Sequence, residues 1–396
     1  MKIVATYMLP FDSSLDPVKK GKGIALGMTI GSWSGVSGDR KERQEPYAGE
    51  FLGFEKVSAG KNESFLIRVG YPVRNFPPRP DEMLVSVFGK LSMDGEIKLI
   101  DLEIPDPYAM KFSGPRLGIE GIRKKIGVAD RPLLMSIFKC GFGLDPKEYA
   151  ALFREQAEGG VDIVKDDEIF FDEKGRLERV KYCGEVIHDI FYRENRNVLY
   201  AVNLSAPPSA LLETAVTLAG AGAGLFLVNV LAYGWNLLQE LASEAGPNAA
   251  LMAHPALAGA VYPSPRHGYS SQLVFGKLMR IAGADFSLFP SPYGSVSLPR
   301  DEALAVSGQL TGASCYKRTF PVPSAGIHPG LVPALIEDFG RDSVINAGGA
   351  VHHHPGGTRA GARAFRDAIE GVCAGKSLDE IAVKSAPLKA ALEKWS

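Results

Sequence analysis

From about residue 125 onward, short runs of mostly apolar residues recur every 20 to 40 positions, and between them apolar residues are spaced three or four apart. A run apolar at nearly every position reads as a strand buried on both faces, whereas the wider spacing marks one face of a helix. The runs are Leu133–Phe138, Val161–Val164, Val198–Asn203, Leu225–Val230, Ala249–His254, Ala284–Phe289, Thr319–Ser324 and Ser343–Ala347. Helical stretches at Asp145–Glu158, Pro208–Ala221, Tyr269–Ala282, Arg300–Leu310 and Arg359–Ala374 separate several of them. Asp145-Pro146 sets an N-cap residue before a proline at the first helical position, where no N–H is needed. Eight strand-then-helix units in about 270 residues predict an α/β fold of the TIM (β/α)8 barrel type. A doubly wound open sheet is the alternative, but no glycine-rich dinucleotide fingerprint follows any strand.

The first part of the chain has a different rhythm. Residues 1–120 mix strands and helices as a smaller α+β domain, leaving 125–396 for the barrel. Ile3–Met8 alternates as a strand and Leu15–Ile30 reads as a helix. Ser64–Tyr71, Met83–Lys90 and Lys98–Ile104 read as further strands, with the proline-rich segments Asn75–Pro80 and Pro105–Pro107 between some of them. A chain of 396 residues is long enough for these two cores.

Composition removes several function classes. The net charge is −1 and the pI about 6.7, without a basic tract, so neither nucleic acid nor an anionic membrane surface is an expected partner. No apolar run approaches the roughly 20 residues of a spanning helix. The segment Met1–Thr6 lacks an export signal, and a cytoplasmic location is expected. Cys140, Cys183, Cys315 and Cys373 are scattered without CxxC spacing and read as reduced thiols, not a disulfide frame or a zinc site.

The candidate chemistry gathers where predicted strands end. Val161-Asp162-Ile163-Val164 runs directly into Lys165-Asp166-Asp167-Glu168, and the C-terminal ends of parallel strands are where ligands collect in such folds. Alone, the tetrad is a solvated charge run. At a strand end, Asp167 and Glu168 are hard oxygen donors suited to Mg²⁺, although two carboxylates underfill an octahedral ion. A lysine cannot coordinate as an ammonium, but it can after its amine has reacted with CO₂ to form a carbamate. Lys139, Asn203, Asn229 and His254 close other strands, while Gly326 and the pair Gly348-Gly349 follow the seventh and eighth. Glycines there suit a phosphate, because bare backbone N–H groups can approach its oxygens. His352-His353-His354 invites a metal assignment, yet adjacent residues on an extended segment face alternate sides and cannot converge.

The tetrad resembles the activator-lysine motif of the RuBisCO superfamily. The likeness implies Lys165 as N6-carboxylysine, with Asp167 and Glu168 completing the Mg²⁺ ligands, and a ferredoxin-like form for the small domain. Three features depart from the carboxylating enzymes. The loop Phe289-Pro290-Ser291-Pro292-Tyr293-Gly294-Ser295-Val296 has no lysine, Pro255 follows His254 where an arginine is expected, and Gly141 takes the place of a second lysine.

Val87–Ser92, Arg131–Lys139, Phe289–Gly294 and Pro323–Gly330 closely resemble the methionine-salvage RuBisCO-like proteins, the 2,3-diketo-5-methylthiopentyl-1-phosphate enolases. Carried over, the resemblance makes Lys90 the general base. It makes Lys139, Lys165, Asp166, Asp167, Glu168, His254, Gly326, Gly348 and Gly349 substrate-binding residues. It implies a small phosphorylated diketone as substrate, CO₂ as the source of the carbamate, and a homodimer with sites at the subunit interface. As a base Lys90 must be neutral, so its pKa must fall from about 10.4 toward 7 to 8. The competing expectations are a RuBisCO-like isomerase acting on another sugar phosphate such as 5-methylthioribulose-1-phosphate, and a metabolite sensor without catalysis.

Overall fold

The computed structural model describes residues 1–59, 62–139, 141–246 and 248–395, and Cys140 lies outside them. Strands β1 (Lys2–Pro10), β2 (Glu50–Ala59), β3 (Asn62–Pro72) and β4 (Lys98–Glu103) form an antiparallel sheet in the order β4-β1-β3-β2. Its alternation is clean in β1, where Ile3, Ala5, Tyr7 and Leu9 are buried and the intervening residues are partly exposed. The helix Pro17–Gly27 follows, its first turn capped by the Asp16 carboxylate, which accepts from Val18 N and Lys19 N at 2.9 and 3.0 Å. The strand β2 was not expected. Gly53 sits at a bulge in its pairing with β3, and the extra residue shifts the period-two pattern that would have announced it.

Met83–Lys90, expected as a strand, is helical: Pro80–Leu84 forms an α-turn that widens into a π-turn over Val85–Gly89. The buried residues Met83, Leu84, Val87, Phe88 and Leu91 fall at helical spacing, and Pro80 followed by Asp81 and Glu82 is a good helix start. That rhythm is present in the sequence, but the valines and phenylalanine outweighed it as strand formers.

The barrel strands fall at the expected places. They are β5 (Leu133–Ile137), β6 (Ile163–Lys165), β7 (Leu199–Asn203), β8 (Leu225–Asn229) and β9 (Ala250–His254). After these, the short β10 (Gly268–Tyr269) leaves the barrel and pairs in parallel with β4, joining the two sheets. This strand and a π-turn at Gln272–Lys277 occupy much of the expected helix Tyr269–Ala282, of which Leu278–Ile281 is α-helical. The remaining strands are β11 (Phe286–Pro290), β12 (Phe320–Ser324) and β13 (Val344–Ala347), and the parallel order is β12-β11-β9-β8-β7-β6-β5-β13. Across the seam, Asn346 on β13 donates to the Ser324 hydroxyl on β12 at 2.9 Å.

Continuous apolar runs are required because both faces of each strand are covered. Leu133, Met135, Ile163, Leu199, Leu225, Leu227 and Phe286 fill the barrel, while Leu134, Val164, Tyr200, Phe226 and Val228 pack outward under the helices. The helix Gly118–Ile126 inserts Ile119, Ile122 and Ile126 among the strands' first residues and stoppers the N-terminal end of the barrel. Asp285 holds it there, accepting from Leu117 N and Gly118 N at 2.8 and 2.7 Å. At the same end Asp162 is fully buried and accepts from Arg131 at 2.7 and 2.8 Å, Arg366 at 3.1 Å and Leu134 N at 2.8 Å. Burial alone would raise its pKa, but the Arg131 and Arg366 guanidiniums outweigh it and hold the carboxyl below its usual range.

Cys183 is buried, Cys315 exposed and Cys373 half-buried, all three free thiols. Among the described residues no helix is long and apolar enough to cross a membrane.

Candidate active site

The strand β6 is three residues long and ends on Lys165, whose side chain has no exposed surface. Neighbouring strand ends fix its backbone: Phe138 N donates to Lys165 O at 2.7 Å, and Asp166 N donates to Ala201 O at 2.9 Å. The Lys165 Nζ donates to the carbonyl of Asp166 at 2.8 Å and stands 3.6 Å from Glu168 Oε2. Burial pushes its pKa below the ordinary lysine value, against the opposing pull of Glu168 and Asp167 and with the help of Lys139. The result is an amine with increased neutral character beside two carboxylates.

Asp167 Oδ2 accepts from Lys139 Nζ at 2.5 Å, which ties the end of β5 to the loop after β6. For Glu168, burial raises the pKa, but the Lys165 charge and the hydrogen bond with Asp167 bring it below the usual carboxylate range. His254, the last residue of β9, places Nε2 3.4 Å from Glu168 Oε2. This is not an ion pair: burial first, then Lys165, hold the imidazole well below its usual pKa and so neutral. Its Nδ1 accepts from Ala256 N at 3.2 Å, which leaves the proton on Nε2, facing the carboxylate.

Asn203 and Asn229 close β7 and β8, yet their amides serve the loop that bears the carboxylates. Asn203 Nδ2 donates to the carbonyls of Glu168 and Phe170 at 3.0 and 3.2 Å, and Asn229 Nδ2 donates to Glu168 O at 3.2 Å. Asp166, expected as a substrate contact, has its carboxylate engaged within the protein. It is fully buried, and its carboxylate accepts from Tyr149 OH at 2.5 Å, Tyr200 OH at 2.8 Å and Asn203 N at 2.9 Å, with Arg179 at 3.4 Å. Successive side chains at a strand end face opposite sides, so with Lys165 at the mouth Asp166 is directed into the wall.

Above this floor opens a cavity of about 750 Å³ lined by Lys139, Glu168, His254, Gly326, Gly348 and Gly349. Of these glycines Gly326 is required there, whereas a Cβ on Gly349 would find only ordinary contacts, the nearest 3.6 Å from His353 Nδ1. A Cβ on Gly326, whose φ is +67°, would stand 2.7 Å from Ser295 N, and one on Gly348 would meet Lys139 Cε at 3.3 Å. Pattern reasoning did not find four further lining residues: Asn346, His353, and Lys394 and Trp395 of the helix Ala386–Trp395. Nothing in the spacing of that last helix links it to a site at the ends of the barrel strands. The triple histidine diverges as expected, though on a helical turn and not an extended segment. His352 Nε2 meets Ile137 O at 2.8 Å, His354 Nε2 meets Pro387 O at 2.9 Å, and His353 lines the cavity.

Lys90 lies elsewhere. It is exposed at the end of the π-turn and lines a separate cleft of about 900 Å³ with Leu15, Lys20, Ile24, Met28 and Asp94. No residue lines both cavities. Among the described residues no group of three His, Cys, Asp or Glu side chains is arranged to hold a metal ion. Two amines stand beside these carboxylates, Lys139 at 2.5 Å from Asp167 and Lys165 at 3.6 Å from Glu168, and of the two Lys165 is the fully buried one.

Residues 118–289 and 307–395 match the pattern of the ribulose bisphosphate carboxylase large chain, catalytic domain. The chain is 44% identical over 405 aligned residues to a 2,3-diketo-5-methylthiopentyl-1-phosphate enolase of Geobacillus kaustophilus, covering 99% of this chain and 98% of that one. It is 46% identical to the protein of the same name from Bacillus cereus, with 99% and 97% covered. The crystal structure of a rubisco-like protein (MtnW) from Alicyclobacillus acidocaldarius superimposes with a TM-score of 0.93 at 45% identity, covering 100% of each chain.

Proposed function

The chain belongs to the family of the ribulose bisphosphate carboxylase large chain, and on that premise we propose how its residues carry the chemistry of the enolase branch. The protein is an isomerase and not a carboxylase. It converts 2,3-diketo-5-methylthiopentyl-1-phosphate into 2-hydroxy-3-keto-5-methylthiopentenyl-1-phosphate, a step of methionine salvage. The reaction moves a proton from the carbon bearing the phosphate ester to a ketone oxygen, without a redox change.

One observation carries the assignment of residues: the buried Lys165 amine beside Glu168 and Asp167, beneath a cavity of substrate size. In its neutral form that amine attacks CO₂. A carbon–nitrogen bond forms, a proton leaves, and the lysine becomes an anionic carbamate. Lys165, Asp167 and Glu168 then offer three anionic oxygen donors, a set that fits Mg²⁺ and leaves positions for substrate and water. When bound, the ion polarises the diketone oxygens and stabilises the negative charge that develops on them.

The remaining roles belong to protein groups. His254 offers its Nε2–H to a substrate oxygen, and Lys139 balances charge beside Asp167. The backbone N–H groups of Gly326, Gly348 and Gly349 receive the phosphate at the far side of the cavity. Lys90 in its neutral form removes the carbon-bound proton. Because Lys90 lines a different cleft from Glu168 and His254, this reading takes the base from a second copy. This reading makes the enzyme a cytoplasmic homodimer in which each N-terminal domain closes the partner's barrel.

The decisive experiment preincubates the enzyme with Mg²⁺, with and without CO₂, and follows the absorbance of the enol. Activity should rise with CO₂; activity equal in CO₂-free buffer would remove the carbamate from the mechanism. Solvent deuterium exchange at the carbon next to the phosphate ester, compared for the diketone and 5-methylthioribulose-1-phosphate, separates this reaction from that of a related isomerase.

A further inference from the structure

The helix Ala386–Trp395 lies against the two loops that carry the cavity's glycines. Leu388 and Ala391 are buried on its inner face, and Pro387 O meets His354 Nε2 at 2.9 Å just beyond the β13 loop. On the other side, a Cβ placed on Gly330, in the segment after β12, would stand 3.7 Å from Leu392 Cδ2. The last turn of the helix thereby reaches the cavity, and Lys394 and Trp395 line it together with Gly326, Gly348 and Gly349.

Lys394 differs from the other cation of the cavity. Lys139 is paired with Asp167 at 2.5 Å. The Lys394 Nζ instead donates to the carbonyl of His353 and stands 5.1 Å from the centroid of the Trp395 ring. Backbone N–H groups carry only partial charges, and a phosphate dianion taken from water needs a full counter-charge. An ammonium on a four-carbon stem, resting on one carbonyl, can turn to that anion at little cost.

We propose that Lys394 is a substrate-binding residue, whose ammonium exchanges the His353 carbonyl for the phosphate oxygens of the ligand held at Gly326, Gly348 and Gly349. The inference rests on the reading above for the position of the phosphate. It adds a cation from a part of the chain that the barrel strands do not contribute.

The test titrates the full-length protein with inorganic phosphate by calorimetry, with Trp395 emission as a local reporter identified by its loss in Trp395→Phe. Lys394→Gln is expected to weaken phosphate binding about tenfold, the scale of one charge-assisted hydrogen bond. The KM for the phosphorylated diketone should rise in parallel with kcat nearly unchanged, and Lys394→Arg should restore most of the loss. Absence of phosphate binding to the wild-type protein overturns the proposal. So does an unchanged affinity in Lys394→Gln, or a fall in kcat with KM unaltered. Phosphate binding needs no turnover, so a protein that binds phosphate through Lys394 yet leaves the diketone untouched would sink the enolase reading alone.

Discussion

Among single residues, Asp162 and Lys165 show two ways of burying a charged group three positions apart. Asp162 meets two arginines and a backbone N–H, and ion pairing wins over burial. Lys165 finds a carbonyl at 2.8 Å and a carboxylate only at 3.6 Å, and burial wins over charge. Asp162→Asn would leave Arg131 buried beside a neutral amide, a loss of about 3 kcal/mol at neutral pH by analogy with broken buried pairs. Because the folded pKa of Asp162 is depressed, its contribution is complete above the unfolded value of about 3.9 and fades as the pH falls below it. Urea unfolding at a series of pH values should therefore show the gap between wild type and variant closing toward acid. The charged cluster around Lys165 was legible because four charged residues directly after an apolar run have no packing reason to be there. The direction of the Asp166 side chain was not legible, because the same string does not display the two-fold alternation that turns it toward Tyr149 and Tyr200.

At the scale of elements, the segment that ends in Lys90 is fixed to its own barrel by mutual capping. The Asp81 carboxylate accepts from Trp235 N and Asn236 N at 3.1 and 3.2 Å, starting the helix Trp235–Glu244. In return, Asn236 Oδ1 accepts from Asp81 N at 2.9 Å and its Nδ2 donates to Glu82 at 2.7 Å, starting the helix Pro80–Leu84. Asn236→Ala should cost about 1 kcal/mol in denaturant unfolding. It should also lower kcat severalfold by loosening Lys90, the base proposed above, while calorimetry finds the affinity for inorganic phosphate unchanged. The strands of the barrel were legible almost to the residue, since a strand covered on both faces must be apolar throughout. Strand β2, half exposed and bulged at Gly53, lacks that signature, and Met83–Leu91 carried helical spacing in strand-forming residues.

For the whole molecule, Lys90 lines one cavity of the chain while Glu168 and His254 line another. Strand patterns report contacts within a chain, so this separation could not be read from them. If two copies complete each other, Lys90→Ala and Lys165→Ala subunits are each inactive alone, while a random equal mixture contains hybrid dimers with one intact centre. Such a mixture should recover about a quarter of wild-type activity. Recovery of none, with hybrid dimers demonstrated by mass spectrometry, would place both residues in the same subunit's centre. The isoleucines of Gly118–Ile126 add a last constraint. They leave the barrel a single doorway, so reactant and product must use the same threshold, and any neighbour leaning across it has to step back once in every cycle.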